Sequence, residues 1–284
     1  MNDRENRVVR AGEPSGITSP RASQKTSSSA QASIPSLPDY LEHVRTDLGW
    51  SRRQVSNLGD VSLHQLRHVE HGTRNATAEV VDQLIAAYQL TAAQARYIRE
   101  LLMPAVPLPY PPGLGSQVRR TPDLIAHLAE LEDRGVLGIY TDPIGNVLAL
   151  NTPMRAAFPE LEQIGNTIRW WFSPPAPQAV VDWDTETDLV VAWFKAAIAR
   201  HRSAPEVGDL LGDLSRHGAF LWPWVHSTRV VYTRPTDTPL RLRRLPDGRE
   251  YSVIVQSNEE SDSRHIRLHT MIPLERSDRG SSAR

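Results

Sequence analysis

The stretch Trp50-Ser51-Arg52-Arg53-Gln54-Val55-Ser56-Asn57-Leu58-Gly59-Asp60-Val61-Ser62-Leu63-His64-Gln65-Leu66-Arg67-His68-Val69-Glu70-His71-Gly72 reads as two short helices joined by a tight turn. Val55, Leu58, Val61, Leu66 and Val69 are spaced for one small buried face. Ser51 and Ser62 stand where each helix should begin, and a serine hydroxyl there accepts from the free N–H groups of the first turn. Gly59-Asp60 supplies the turn, because both residues tolerate positive φ. Gly72 ends the second helix as a left-handed cap. Helix, sharp turn and helix with a polar outer face is how proteins set one helix into the DNA major groove.

Working outward, the pattern is helical from residue 37 to 103. Leu37, Tyr40, Leu41, Val44 and Leu48 mark a first helix that stops at Gly49. Thr77 caps a fourth helix carrying Val80, Val81, Leu84 and Ile85, and Thr91 caps a fifth with Ala95, Ile98 and Leu101. Five short helices predict an all-α domain at 37–103. Residues 1–36 hold few large apolar side chains and are expected to be a disordered tail. Five prolines between 104 and 112 predict an extended linker over 104–121.

A second domain is expected at 122–274, with a polar tail at 275–284. Helical periodicity covers 122–134, 154–158, 183–200 and 205–216. Strand patterns cover 136–140, 147–150, 229–234, 240–245, 251–257 and 266–272. Asp142-Pro143-Ile144-Gly145-Asn146 makes the first hairpin turn, and Asn258 to Ser263 reads as a solvated loop between strands. Asp182 and Asp184 suit the capped start of the long helix. The expected class is therefore multidomain α and α+β, with helices across one face of an antiparallel sheet.

The 284 residues carry a formal net charge of −1, so no global field draws the protein to nucleic acid. Zero cysteines exclude disulfides and thiolate chemistry, consistent with an expected cytoplasmic setting. No apolar run is long enough to span a membrane, and the N-terminus shows no apolar signal segment. No nucleophile elbow, zinc-protease motif or phosphate-cradling loop is present, so the expectation is a non-enzyme without cofactor. His64, His68 and His71 share a helical spacing that suits two metal ligands, but no acid or cysteine completes the set.

The opening motif, from Ser51 through Val61-Ser62, Leu66 and Val69-Glu70-x-Gly72, resembles the Cro/phage-repressor (XRE) helix-turn-helix family without a gap. Arg52 and Asp60 depart from it, standing where that family usually has Gln and Gly. The remainder is similar to the MmyB-type ligand-binding domain, with a PAS-like fold. The matching pieces are Val136-Leu137-Gly138-Ile139-Tyr140, Val147 to Asn151, Trp170-Trp171-Phe172, Asp182-Trp183, Tyr251 to Ser257 and Arg267 to Pro273. The resemblance implies a bacterial transcription regulator whose second domain binds a small apolar ligand such as a fatty acid.

On that reading Leu63, His64, Arg67 and His68 point outward together toward double-stranded DNA. Arg67 is the candidate for guanine, because its planar fork pairs with O6 and N7. Ser51, Arg52, Arg53, Ser62 and Arg74 are candidates around the phosphates. Residues 37–103 hold seven arginines against eight acids, so sequence-independent affinity should be weak and a homodimer reading two half-sites is expected. Six of the seven tryptophans lie in the second domain. Tyr140, Leu150, Phe158, Trp171, Trp193 and Phe194 are the candidate ligand-lining side chains. The rival expectation is that these aromatics form a dry core and that the domain only dimerises or docks partners.

Overall fold

The computed structural model describes residues 31–274, apart from 236, 246, 261 and 262 and the side chains of 259, 260, 263 and 264. Residues 1–30 of the expected N-terminal tail (1–36) and the expected tail at 275–284 lie outside the described residues.

The helical part is built from α1 (Leu37–Asp47), α2 (Arg52–Gly59), α3 (Leu63–Glu70), α4 (Ala78–Ala87) and α5 (Ala92–Leu102). Each begins on the hydroxyl that the sequence offers: Ser36, Ser51, Ser62, Thr77 and Thr91 accept from a first-turn N–H. Ser51 and Thr91 form full capping boxes with Gln54 and Gln94. The core beneath holds Leu41, Val55, Leu66, Val81, Leu84 and Ile98. Leu58, expected in that face, is 61% exposed. The turn also differs in detail. Asp60 alone takes the left-handed conformation (φ 52°), while Gly59 stays helical. A Cβ on Gly59 would sit 2.8 Å from the Ala87 Cβ, so glycine serves the close approach of α2 to α4.

Below this core an ion network ties α1, α2 and α3 together. Glu70 is buried, and Arg45 donates to both its oxygens from Nε (2.7 Å) and Nη2 (3.0 Å). Arg52 Nε adds a third contact at 2.5 Å, and both arginines also reach Glu42.

The expected linker at 104–121 is not an extended spacer throughout. Pro111 and Pro112 occupy the first turn of α6 (Pro111–Arg120), where a missing N–H costs nothing. Next come α7 (Pro122–Asp133), the hairpin of β1 (Leu137–Thr141) and β2 (Val147–Leu150), then α8 (Thr152–Ala157), α9 (Leu161–Ile164), α10 (Thr167–Trp171) and α11 (Ala176–Ala179). The long α12 (Trp183–Ala199), α13 (Pro205–Leu214) and α14 (Gly218–His226) precede β3 (Leu240–Arg243), β4 (Glu250–Glu260) and β5 (Ser263–Pro273). Strands β4 and β5 continue through most of the stretch expected as a solvated loop.

Among the described residues the strands form one antiparallel sheet in the order β2-β1-β5-β4-β3. Residues paired across an antiparallel ladder share a face. Ile139, His269 and Ser257 therefore line up on one side, and Leu137, Met271 and Val255 beside them. That face is covered by the helices from α8 onward. The opposite face, with Tyr140, Leu148, Ile266 and Leu268, is closed by Leu114 and Val118 of α6 and Leu128 of α7. Helices thus lie on both faces, not one. Gly145 (φ 87°) turns the β1–β2 hairpin, and a Cβ there would meet Thr167 Oγ1 at 2.4 Å.

The helical part and the sheet part pack on each other. Arg202 donates to the carbonyls of Leu101 (3.1 Å) and Met103 (2.7 Å), satisfying acceptors at the end of α5. His201 Nδ1 lies 3.0 Å from the Val106 carbonyl, which pins the segment expected to be free spacer. Within the expected N-terminal tail, Ala32 is buried and its N–H donates to Ser215 Oγ (2.9 Å). Asp182 does not cap α12; its carboxylate pairs with Arg241 (2.9 Å).

Two stability predictions follow from buried charge. Removing Glu70 leaves Arg45 and Arg52 without their buried partner and with only the exposed Glu42 carboxylate between them, so Glu70→Ala should cost about 3–5 kcal/mol, read by urea denaturation; a loss below about 1 kcal/mol would show the network to be dispensable. Lys195 on α12 is buried, with Nζ donating to the carbonyls of Pro223 (3.0 Å) and Ser227. Burial pushes its pKa from 10.5 down to about 8. Between those values the unfolded chain binds the extra proton, so stability rises with pH from 8 toward 10. The wild type should gain about 2–3 kcal/mol over that window relative to Lys195→Met; parallel pH profiles of the two proteins would contradict it.

Candidate functional site

The outer face of α3 presents Leu63, His64 and Arg67 to solvent, with His68 half-buried and Leu66 and Val69 turned inward. Ser62, Arg53 and Arg74 are exposed around it. Thr73 Oγ1 donates to the His68 carbonyl (3.2 Å) and so accepts from His68 Nδ1 at 2.6 Å. His64 Nε2 lies 3.0 Å from His68 Nε2. Partial desolvation and the nearby His64 and Arg74 hold His68 below its usual pKa. Two expected phosphate contacts are engaged elsewhere. Arg52 is drawn under the helix pair by Glu70 and Glu42, and the Ser51 hydroxyl is held by Gln54 (2.8 Å). Among the described residues no three ligating side chains gather as a metal site, His64, His68 and His71 included.

A cavity of about 480 Å³ lies between the sheet and α12. Its apolar wall is Ile139, Met154, Phe158, Ile168, Trp171, Leu189, Val190, Trp193, Val255 and Met271. Phe158, Trp171 and Trp193 are therefore brought together on the wall of this cavity. Tyr140, Leu150 and Phe194 are not. Tyr140 belongs to the opposite face of the sheet, where its hydroxyl lies 3.3 Å from His127 Nδ1. Leu150 packs in the main core, and Phe194 is fully buried against Phe220 and Trp224.

The sequence reading missed Met154, Val190, Val255, Ser257, His269 and Met271. Strand parity held the signal for the last four, since each lies an even number of residues from Val253 or Leu137 or opposite one that does. Thr141 Oγ1 and Ser257 Oγ flank His269 at 3.0 and 2.7 Å. Burial and the neighbouring Arg267 push the His269 pKa down to about 4, so its ring is neutral near pH 7. At the rim, Arg234 and Glu186 form a bidentate pair (2.5 and 2.6 Å) with both side chains largely buried.

A second cavity of about 450 Å³ adjoins the first on the side of α5 and is more polar, with Arg96, Glu100, Arg200 and His201 on its wall. The two share Trp193, His269 and the segment Val231-Tyr232-Thr233. That segment lies where a strand was expected at 229–234. Among the described residues it pairs with no other strand; backbone groups of the segment and of Thr228 before it bond to helices instead. The Thr228 carbonyl accepts from Tyr40 Oη (2.7 Å) and Gln94 Nε2 (3.4 Å), and the Val231 N–H donates to the Ala192 carbonyl (3.2 Å). Val230 is buried in the helical core. Tyr232 Oη donates to Glu100 (2.6 Å) while the Arg96 guanidinium stacks 3.8 Å above its ring. One strap of chain thus walls the cavity and holds α1 and α5.

The described residues hold no helix long and apolar enough to cross a membrane. No curated protein matches the chain. The family model of the MmyB-like transcription regulator ligand binding domain matches residues 138–282, which takes in the cavity, the strap and the whole sheet apart from the first residue of β1. Because that match spans just over half of the 284 residues, the chain belongs to the MmyB-like transcription regulator ligand-binding domain family.

Proposed function

We propose that the protein is a one-component, sequence-specific DNA-binding transcription regulator. In this reading α2 and α3 form a helix-turn-helix of the XRE type, and α3 enters the major groove of operator DNA. Arg67 reads a guanine, Leu63 and His64 contact neighbouring base edges, and Arg53, Ser62, His68 and Arg74 lie along the phosphates. A homodimer supplies the second half-site. The sheet part is PAS-like and senses an apolar small molecule, for which the family resemblance offers a fatty acid as one member of the class.

The observation that carries the reading is the strap at 228–234. A ligand entering the apolar cavity presses on Val231, Tyr232 and Thr233; Val231 is bonded to α12 and Tyr232 to α5, and Thr228 at the start of the same strap is bonded to α1. A ligand shifts DNA affinity only if it favours one of two strap positions, and a segment packed into the helical core at Val230 while walling the cavity at Val231 supplies such a linkage.

Three measurements test it. Arg67→Ala should abolish specific footprints while circular dichroism stays native; unchanged footprints would refute the role of α3. DNA affinity should rise as pH falls below about 6.5, where His68 gains its proton; flat affinity across that range would remove His68 from the contact. A lipid extract of the purified protein should contain an apolar small molecule by mass spectrometry. A clean extract, with no apolar compound stabilising the protein, would favour a docking or dimerisation role for the sheet part.

A further inference from the structure

The polar cavity beside α5 differs in charge from the apolar one it adjoins. Arg96 of α5, Arg200 at the end of α12 and Arg267 of β5 place three guanidinium groups on its wall, against one carboxylate among the described residues, Glu100. That carboxylate is already engaged: it accepts from Tyr232 Oη (2.6 Å) and from Arg96 Nε (3.0 Å). Arg200 is exposed, and among the described residues it pairs with no acid. Burial holds the pKa of the His201 imidazole on this wall down to about 4, and Arg267, His265 and Arg200 push it the same way. The wall thus carries a surplus of positive charge, which favours an anion.

The two cavities meet along Trp193, Val231, Tyr232, Ser257, Asn258 and His269. Each of these residues keeps some surface open, as the border of one continuous space must. A molecule with a chain among Met154, Phe158, Trp171 and Leu189 can therefore present a polar head to the guanidinium groups. A fatty acid fits this description. Its carboxylate, however, takes roughly the room of two waters, about 60 Å³, in a polar cavity of about 450 Å³. It also brings only one charge and two oxygens to three arginines. A phosphate monoester brings about −1.5 to −2 charges near neutral pH and three terminal oxygens, and arginine forks match phosphate oxygens in pairs.

We propose that the polar cavity is a phosphate subsite and that the molecule spanning both cavities is a single-chain lipid phosphate, held at its head by Arg200 with Arg96 and Arg267 beside it. The proposal rests on the ligand-sensing reading above and adds the head group to it. Because Arg96 belongs to α5, such a head touches the helical part directly.

The test uses the full chain in a phosphate-free buffer near neutral pH with decyl phosphate, decanoate and decanol. Each is kept below its micelle-forming concentration and titrated against tryptophan fluorescence, with Trp171 and Trp193 on the cavity wall as reporters. Decyl phosphate should bind about tenfold more tightly than decanoate and should displace decanol. Arg200→Gln should weaken decyl phosphate by about fivefold or more and leave decanol unchanged, which also shows the variant to be folded. Inorganic phosphate at equal concentration should not displace decyl phosphate; displacement would make this a site for the free ion and overturn the lipid ligand. Decanoate matching decyl phosphate, a preference that survives Arg200→Gln, or decanol and decyl phosphate bound together overturns the proposal while leaving ligand sensing intact. Failure of all three alkyl compounds to bind overturns both.

Discussion

The strap from Thr228 to Arg234 is the constraint on which the rest of the architecture depends. Among the described residues its backbone pairs with no strand; the Thr228 carbonyl is bonded to Tyr40 and Gln94 and the Val231 N–H to Ala192 instead. Buried backbone polar groups must find partners, and here the partners come from the helical part and from α12. Val230 is counted in one hydrophobic core while Val231 walls the cavity of the other. The strap cannot move toward either side without breaking bonds on the opposite one. Arg234 and Glu186 anchor its far end, and the Lys195 amine bonded to the Pro223 and Ser227 carbonyls anchors its start.

The helix pair was largely legible in the sequence because its signals are local. A hydroxyl at each N-cap and apolar residues at helical spacing specify α2 and α3 within the span of a few residues, and the structure places Ser51, Ser62, Leu66 and Val69 accordingly. The burial of Glu70 was not legible. Nothing near it in sequence explains a carboxylate under the core; its partners, Arg45 and Arg52, lie 25 and 18 residues away. The same long-range pairing withdraws Arg52 from the surface, which no local pattern predicts. Leu58 failed differently: its spacing suits the buried face, but the short helix ends a residue later and leaves it turned to solvent.

The sheet part was legible as strands and long helices but not as a cavity. Aromatic content pointed at a pocket without saying which rings share it. That depends on strand parity and on which face each helix covers. Tyr140 is one residue from Ile139 and therefore on the opposite face, with its hydroxyl beside His127 of α7; the same face is also closed by α6, a helix that its glycines and prolines disguised as linker. Phe194 is one residue from Trp193 on α12 and points to α14 instead of the sheet. The segment 229–234 carries strand-forming residues, yet its hydrogen bonds run to helices, and only tertiary structure decides that.

The distribution of charge bears on how such a protein can read DNA. Of the arginines near the helix pair, Arg45 and Arg52 are consumed by Glu70 and Glu42. Arg53, Arg67 and Arg74 remain exposed. Each phosphate neutralised adds nearly one unit to the salt slope of binding, so a surface with few free cations gains little from non-specific attraction. Base-edge contacts must then carry a larger share, and each good bidentate pair discriminates by only about 1–3 kcal/mol. A single copy of α3 offers one such side chain, Arg67. Two copies on a symmetric operator double the readout without raising the charge of either subunit, which is why the proposed DNA reading and a homodimer stand or fall together.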